Sequence, residues 1–278
     1  MTRLVQRNDM QRVKVSDGLS IAYRIDDFTE PWTEPETVVL LHSAMSSSRR
    51  LYAMVPRFAR RYRVVRVDLR GHGESEVPRE DQPLTLQRLT QDVRDVADHL
   101  GVKSAHYVGV SGGGYLAQQL AIHDPQRVKS LVLLASRPGF KDGQGASWIP
   151  EMERRGLRTF IADTIADRLP VGEVSQAQID WFLDEMDRND PAYVRRYVLY
   201  MTTLYWMSDL AKVTCPALIV APRGDTIGNA NAYGEMHKLM KLSELITYDV
   251  ESHNIADYLA DRCAADAMAF LERHFPRR

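Results

Sequence analysis

One short segment constrains this chain more than any other. Tyr107-Val108-Gly109-Val110-Ser111-Gly112-Gly113-Gly114-Tyr115 joins an apolar, β-branched run to a helical pattern. A serine on such an abrupt strand-to-helix turn takes a strained backbone conformation, so its close neighbours must lack bulk, hence Gly109 and Gly113. The turn lifts the hydroxyl clear of the strand and sets it at a helix amino terminus, where unpaired N–H groups can hold negative charge. Alone, the pattern also suits a glycine-rich turn that binds a phosphate, or nothing.

The surroundings narrow the choice. Val38–Leu41, Arg63–Val67, Ala105–Val110 and Val128–Leu134 read as buried strands, nearly continuous in apolar content as in a parallel sheet covered on both faces. Between them, Leu51, Met54, Val55 and Phe58 repeat at helical spacing, as do Leu86, Leu89, Val93, Val96, Ala97 and Leu100, with Gly101 as a stop. The alternation predicts an α/β class fold, a mostly parallel doubly wound sheet with right-handed crossovers. Arg12–Val15 and Leu19–Ile25 predict an antiparallel hairpin at its edge. From about Gly139 to Ser208 only helical signals occur, including Ser175 and Gln178 as a capping box and Asp190-Pro191 as a helix start. Strands return at Ala217–Ala221 and Leu245–Val250, and a last helix is expected from Ile255 to Phe275. The expected organisation is core over 1–138, a helical insertion over 139–208, and core again over 209–278.

Composition excludes whole classes of function. A net charge of -1 over 278 residues leaves no basic stripe for nucleic acid. No apolar run reaches the ~20 residues of a membrane span, and the amino terminus lacks a signal-peptide core. The two cysteines, Cys215 and Cys263, read as buried free thiols in a reducing compartment, so a cytoplasmic location is expected. No histidine pair has metal-ligand spacing with an acidic third ligand, so neither metal nor cofactor is expected. The expected partner is a small-molecule substrate, and homo-oligomerisation is left open.

Chain order then supplies two companions for Ser111. Strand Ala217–Ala221 runs into Pro222-Arg223-Gly224-Asp225, and Leu245–Val250 into Glu251-Ser252-His253. A hydroxyl is a poor nucleophile unless an imidazole takes its proton, and the imidazole needs a carboxylate to fix its tautomer. Serine, aspartate and histidine follow in that order at three strand ends. Asp225 is preferred to Asp249, which is expected to lie inside the last strand. The N–H of Gly112 and one from the loop His42-Ser43-Ala44-Met45, with Ala44 favoured, are the expected oxyanion donors.

With these residues in view, the chain resembles the α/β-hydrolase superfamily over essentially its whole length. Leu41-His42-Ser43 sits where many members carry His-Gly, and Asp68-Leu69-Arg70-Gly71-His72-Gly73-Glu74-Ser75 resembles their D-x-R-G-x-G-x-S loop. His123-Asp124-Pro125-Gln126-Arg127-Val128 resembles the segment that ends the helix after the turn. Within the superfamily the chain is most similar to the 3-oxoadipate enol-lactonase-like branch of small serine esterases, although Ser43 and the triple glycine Gly112–Gly114 depart from the commonest pattern. The resemblance implies hydrolysis of a small carboxylic ester or lactone through an acyl-enzyme, beneath a helical cap that shapes a mostly apolar pocket. The alternatives are carbon–carbon bond hydrolysis of a ring-cleavage-type diketone and a non-catalytic small-molecule receptor. Candidate substrate contacts are His42, Arg137 and Trp206. His42 is equally suited to bracing backbone, and Trp206, with Tyr197, Tyr200 and Tyr205, to filling a helix core. Arg137 follows strand Val128–Leu134 on the side where ligands approach such sheets, where it suits either a substrate carboxylate or a solvated surface. Arg154, Arg155, Arg158, Arg168, Arg195 and Arg196 are expected mostly on solvated helix faces.

Overall fold

A computed structural model describes residues 9–140 and 147–276. Residues 1–8, 141–146 and 277–278 lie outside the described residues, so the expectations for the extreme amino terminus and for the first part of the helical insertion are not addressed there. The strands are β1 (Gln11–Lys14), β2 (Ser20–Asp26), β3 (Thr37–Leu41), β4 (Arg63–Val67), β5 (Ala105–Val110), β6 (Val128–Leu134), β7 (Ala217–Pro222) and β8 (Ser243–Tyr248). They form one sheet in the order β1-β2-β4-β3-β5-β6-β7-β8. β1 pairs antiparallel with β2, and β2 antiparallel with β4, while the ladder from β4 to β8 is parallel. Antiparallel neighbours close with a tight turn, here through Ser16-Asp17-Gly18, whereas each parallel step needs a crossover.

The helices α1 (Val55–Ala59), α2 (Leu86–His99), α3 (Gly112–His123), α8 (Ala230–Leu239), α9 (Ile255–Tyr258) and α10 (Ala260–His274) cover the two faces of the sheet. Alternation along the strands sorts the core. Val39, Leu41, Val65, Leu131 and Ile219 pack with Leu89, Leu116 and Met236 on one face. Val38, Leu40, Val108, Val132 and Val220 pack with Phe58, Phe270 and Leu271 on the other. Both faces are dry, which is why these strands carry apolar residues at nearly every position.

Between β6 and β7 lie four further helices, α4 (Trp148–Arg155), α5 (Leu157–Asp163), α6 (Gln176–Asp187) and α7 (Pro191–Met201). They build a separate cluster from Ile149, Phe160, Ile161, Phe182 and Val194. Ser175 caps α6 by accepting from Gln178 N at 3.2 Å, and Asp190 caps α7 by accepting from Tyr193 N at 2.7 Å. The reciprocal half of the capping box is absent, because the Gln178 side chain donates instead to Asp257 O.

Three local expectations need correction. The segment around Leu51 is a 3-10 turn, Ser48–Met54, before the short α1. The last helix is broken at Leu259 into α9 and α10. The last strand starts and stops two residues earlier than expected, so Asp249 lies just beyond it.

Candidate active site

Ser111 occupies the turn between β5 and α3 with φ 47° and ψ -118°, a left-handed conformation unusual for a residue with a Cβ. The turn is tight enough that a Cβ on Gly109 would overlap Gly114, and one on Gly113 would overlap the backbone of Leu41 and His42. The third glycine of the run has its own reason. Gly114 leaves space for Ser136, whose hydroxyl donates to the Ser111 carbonyl at 2.7 Å. Backbone strain recurs nearby. Of the four non-glycine residues with positive φ among the described residues, Met45, Ser111 and Ala135 line a single cavity.

His253 and Asp225 meet Ser111 across the ends of three strands. His253 Nε2 lies 2.9 Å from Ser111 Oγ, and its Nδ1 lies 2.9 and 2.8 Å from the two Asp225 carboxylate oxygens. A carboxylate only accepts, so Nδ1 donates and Nε2 is left to accept the serine proton. Asp225 is itself held by the Gly228 N–H and the Tyr233 hydroxyl, each at 2.6 Å. Burial alone would raise the Asp225 pKa. The His253 charge and hydrogen bond, with those from Tyr233 and Gly228, outweigh it and hold the carboxyl below its ordinary value. Asp225 therefore enters neutral solution as an anion. Asp249 is exposed and paired with Arg223 at 2.9 Å, whereas the carboxylate at His253 Nδ1 is that of Asp225.

The backbone of His253 is anchored from the helical insertion. His253 N donates to Asp167 O at 2.8 Å, Asn254 N to Arg168 O at 3.0 Å, and Ser252 Oγ to Ala166 O at 2.9 Å. Sequence reasoning missed these residues, and Tyr233 and Ser136 as well, because none belongs to a local pattern.

Gly112 begins α3, where N–H groups have no acceptor within the helix. A Cβ built on Gly112 would stand 3.3 Å from Ala44 N, so the two amides are near neighbours. Both residues line the same cavity as Ser111 and His253, a space of about 80 Å³ walled by Met45, Phe140, Trp148, Phe182 and Met186. That is room for several waters or a small organic molecule.

The three expected substrate contacts divide. Arg137 lines the cavity, with its guanidinium stacked 3.8 Å over Phe140. His42 does not. It is fully buried, its Nε2 accepts from Leu69 N at 2.9 Å and its Nδ1 lies 2.7 Å from Ser43 O, so it braces the loops after β3 and β4. Trp206 also stands back from the cavity, donating to Gln118 Oε1 at 3.1 Å and packing edge-on against Tyr115 at 4.9 Å. Its indole supports a cavity wall from behind. Arg168, expected on a solvated helix face, is instead buried and lines the cavity. The loop after β4 is likewise structural. Asp68 accepts from Ser48 N and Glu74 N, and Arg70 pairs with Asp92 through two bonds of 2.7 Å.

The comparisons with known proteins agree with this architecture. The sequence model of the alpha/beta hydrolase fold matches residues 36–168. A crystal structure of a hydrolase from Pseudomonas aeruginosa PA01 superposes with a TM-score of 0.86 at 26% identity, covering 96% of this chain and 99% of the other. This chain has the α/β-hydrolase fold. Among curated relatives, 3-oxoadipate enol-lactonase 1 of Acinetobacter baylyi is 35% identical over 46% of this chain and 43% of its own length. That match thus spans less than half of the relative. The pimeloyl-[acyl-carrier protein] methyl ester esterase of Nitrosomonas europaea is 28% identical over 76% of this chain and 86% of its own. Among the described residues of this chain, no cluster of His, Cys, Asp and Glu could hold a metal ion, and no helix is long and apolar enough to cross a membrane.

The two buried loop histidines carry a testable consequence for this chain. Burial pushes His42 down to about 4 and His72 down to about 3, against ~6.5 in an unfolded chain. Below about pH 6.5 the unfolded chain binds protons that the folded chain refuses. Stability is therefore complete above that pH and declines as the pH falls toward 4, by about 3 kcal/mol for His42 alone. Urea midpoints at pH 7 and pH 4.5 measure the decline. Its slope should be shallower in His42→Gln, and an unchanged slope would remove His42 as its source.

Proposed function

We propose that the chain is a serine hydrolase acting on a small carboxylic ester or lactone through an acyl-enzyme. The observation that carries this reading is the continuous contact from Asp225 through His253 to Ser111, opening onto one cavity beside two backbone donors. In this reading Ser111 Oγ attacks the carbonyl carbon as His253 Nε2 takes its proton. The oxyanion accepts hydrogen bonds from the Gly112 and Ala44 N–H groups, whose preorganised dipoles need no rearrangement at the transition state. Collapse expels the alcohol oxygen, which takes the proton from His253. A lactone opens instead and stays attached as its hydroxy-acyl form. Water then attacks the acyl-enzyme with His253 again as base, releasing the acid and restoring Ser111.

The helices α4 to α7 act here as a cap over the sheet's carboxyl ends, and the apolar wall they contribute excludes water from the reacting centre. The names of two relatives, an enol-lactonase and a methyl ester esterase, support ester and lactone substrates over carbon–carbon cleavage. A fluorophosphonate probe tests the reading directly. Intact-mass analysis followed by peptide mapping should find one adduct, on Ser111, formed only when the protein is folded. Labelling that persists in Ser111→Ala would overturn the assignment.

A further inference from the structure

The cavity beside Ser111 is unbalanced in charge. Arg50, Arg137 and Arg168 line it, and among the described residues no Asp or Glu side chain does. Arg50 is neutralised by Asp257 through bonds of 2.8 and 2.6 Å and lies flat over Phe182. Arg168 has no comparable partner. It is only 6% exposed, and its hydrogen bonds to the described residues run from Nη1 alone, to O and Oγ1 of Thr164 at 2.8 and 2.7 Å. Among the described residues its remaining N–H groups have no hydrogen-bond partner and it forms no ion pair within 4 Å. Burial and the neighbouring Arg50 charge push its pKa down to about 10, partly offset by Asp167, so it stays cationic at pH 7. Arg137 is 5% exposed, forms no ion pair among the described residues, and leaves Nη2 without a partner.

A buried, unpaired guanidinium is costly, and folded proteins ordinarily pair or hydrate it. Two of them facing one apolar-walled space form a site complementary to an anion. The position of Arg168 narrows the anion to part of the substrate, because its own carbonyl accepts from Asn254 N, beside His253. The side chain lines the same cavity as Ser111 and His253. A guanidinium fork matches the two oxygens of a carboxylate better than any single-point acceptor. Resting on the hydrolase reading above for the reaction, we infer that the substrate is a carboxylate-bearing ester or lactone, whose carboxylate is held by the free N–H groups of Arg168. Arg137 adds a second positive charge to the same cavity. The specificity determinant thus lies in the helical insertion as well as at the end of β6.

Matched 4-nitrophenyl esters provide the test, the hydrogen glutarate against the pentanoate, which share chain length and differ in the terminal carboxylate. The unmodified protein should prefer the acidic ester by tenfold or more in kcat/KM. Arg168→Gln should lower kcat/KM for the acidic ester roughly 10- to 100-fold, mainly through KM, and leave the neutral ester within threefold. Arg168→Lys should keep part of the preference, since a point charge lacks the fork. Free glutarate should also inhibit pentanoate hydrolysis by the unmodified protein competitively, a readout independent of any variant's folding. Equal losses on both esters, or no preference in the unmodified protein together with no inhibition by glutarate, would overturn the inference. Failure of the hydrolase reading has a different signature. Neither ester would turn over, while calorimetry would still record Arg168-dependent binding of glutarate.

Discussion

Ser111→Ala should lower kcat on an activated ester by roughly 10⁴-fold or more, leaving a residual rate from the oxyanion donors and from binding. The size of the loss follows from the contact chain. With Oγ gone, His253 has no serine proton to take and no acyl-enzyme can form. KM should change little, because the hydroxyl contributes small area to a cavity walled by Phe140, Phe182 and Met186. A second substitution separates chemistry from folding. Ser111→Gly should be equally inactive yet at least as stable as the parent, because glycine relieves a φ of 47° that costs roughly 1–3 kcal/mol in a residue with a Cβ. Steady-state kinetics and urea melts of both variants check the two statements. An Ser111→Ala protein that keeps more than a few percent of kcat would place the nucleophile elsewhere.

Asp225→Asn should be nearly as damaging, with kcat down on the order of 10⁴-fold and the fold intact. The Gly228 N–H and the Tyr233 hydroxyl bond different carboxylate oxygens, so the amide oxygen can keep the Gly228 bond while the amide nitrogen donates to the Tyr233 oxygen, and the loop after β7 stays held. The amide nitrogen is then turned toward His253 Nδ1 as a donor. That nitrogen must accept, the ring proton moves to Nε2, and the imidazole faces Ser111 with the wrong tautomer. Asp249→Asn should leave kcat unchanged, because Asp249 is 87% exposed and paired with Arg223. Thermal melts alongside the kinetics exclude unfolding. An active Asp225→Asn with an inactive Asp249→Asn would reverse the assignment.

Much of the site was readable locally because its geometry is written in short segments. The turn at Ser111 demands glycine at positions fixed relative to it, and each companion stands in the loop that follows a strand. Register is less readable. The last strand was expected two residues late because Val250 is apolar and Glu244 polar, whereas β8 is a sheet-edge strand whose residues from Ser243 to Ile246 are only half-buried. With one edge unpaired, its hydrophobic pattern is weak, and pairing with β7 decides where it stops. Arginines mislead for a different reason. Arg154 and Arg168 look alike in sequence, each in a charged helical stretch. Arg154 is solvated beside Glu151, while Arg168 is turned inward by the bonds that tie its backbone to the His253 loop.

By itself the sequence determined the class of fold and the candidate nucleophile with its two candidate partners. All of these depend on residue type at short spacing, which strand and helix periods make visible. Only the tertiary structure decided that His42 braces Leu69 N instead of lining the cavity, that Trp206 stands behind Tyr115, and that Arg168 enters the cavity with no counter-ion among the described residues. Each of those outcomes is a choice between burial against one distant segment and exposure. The energy that makes the choice comes from desolvation and hydrogen bonding between residues far apart in the chain, where no local pattern records it.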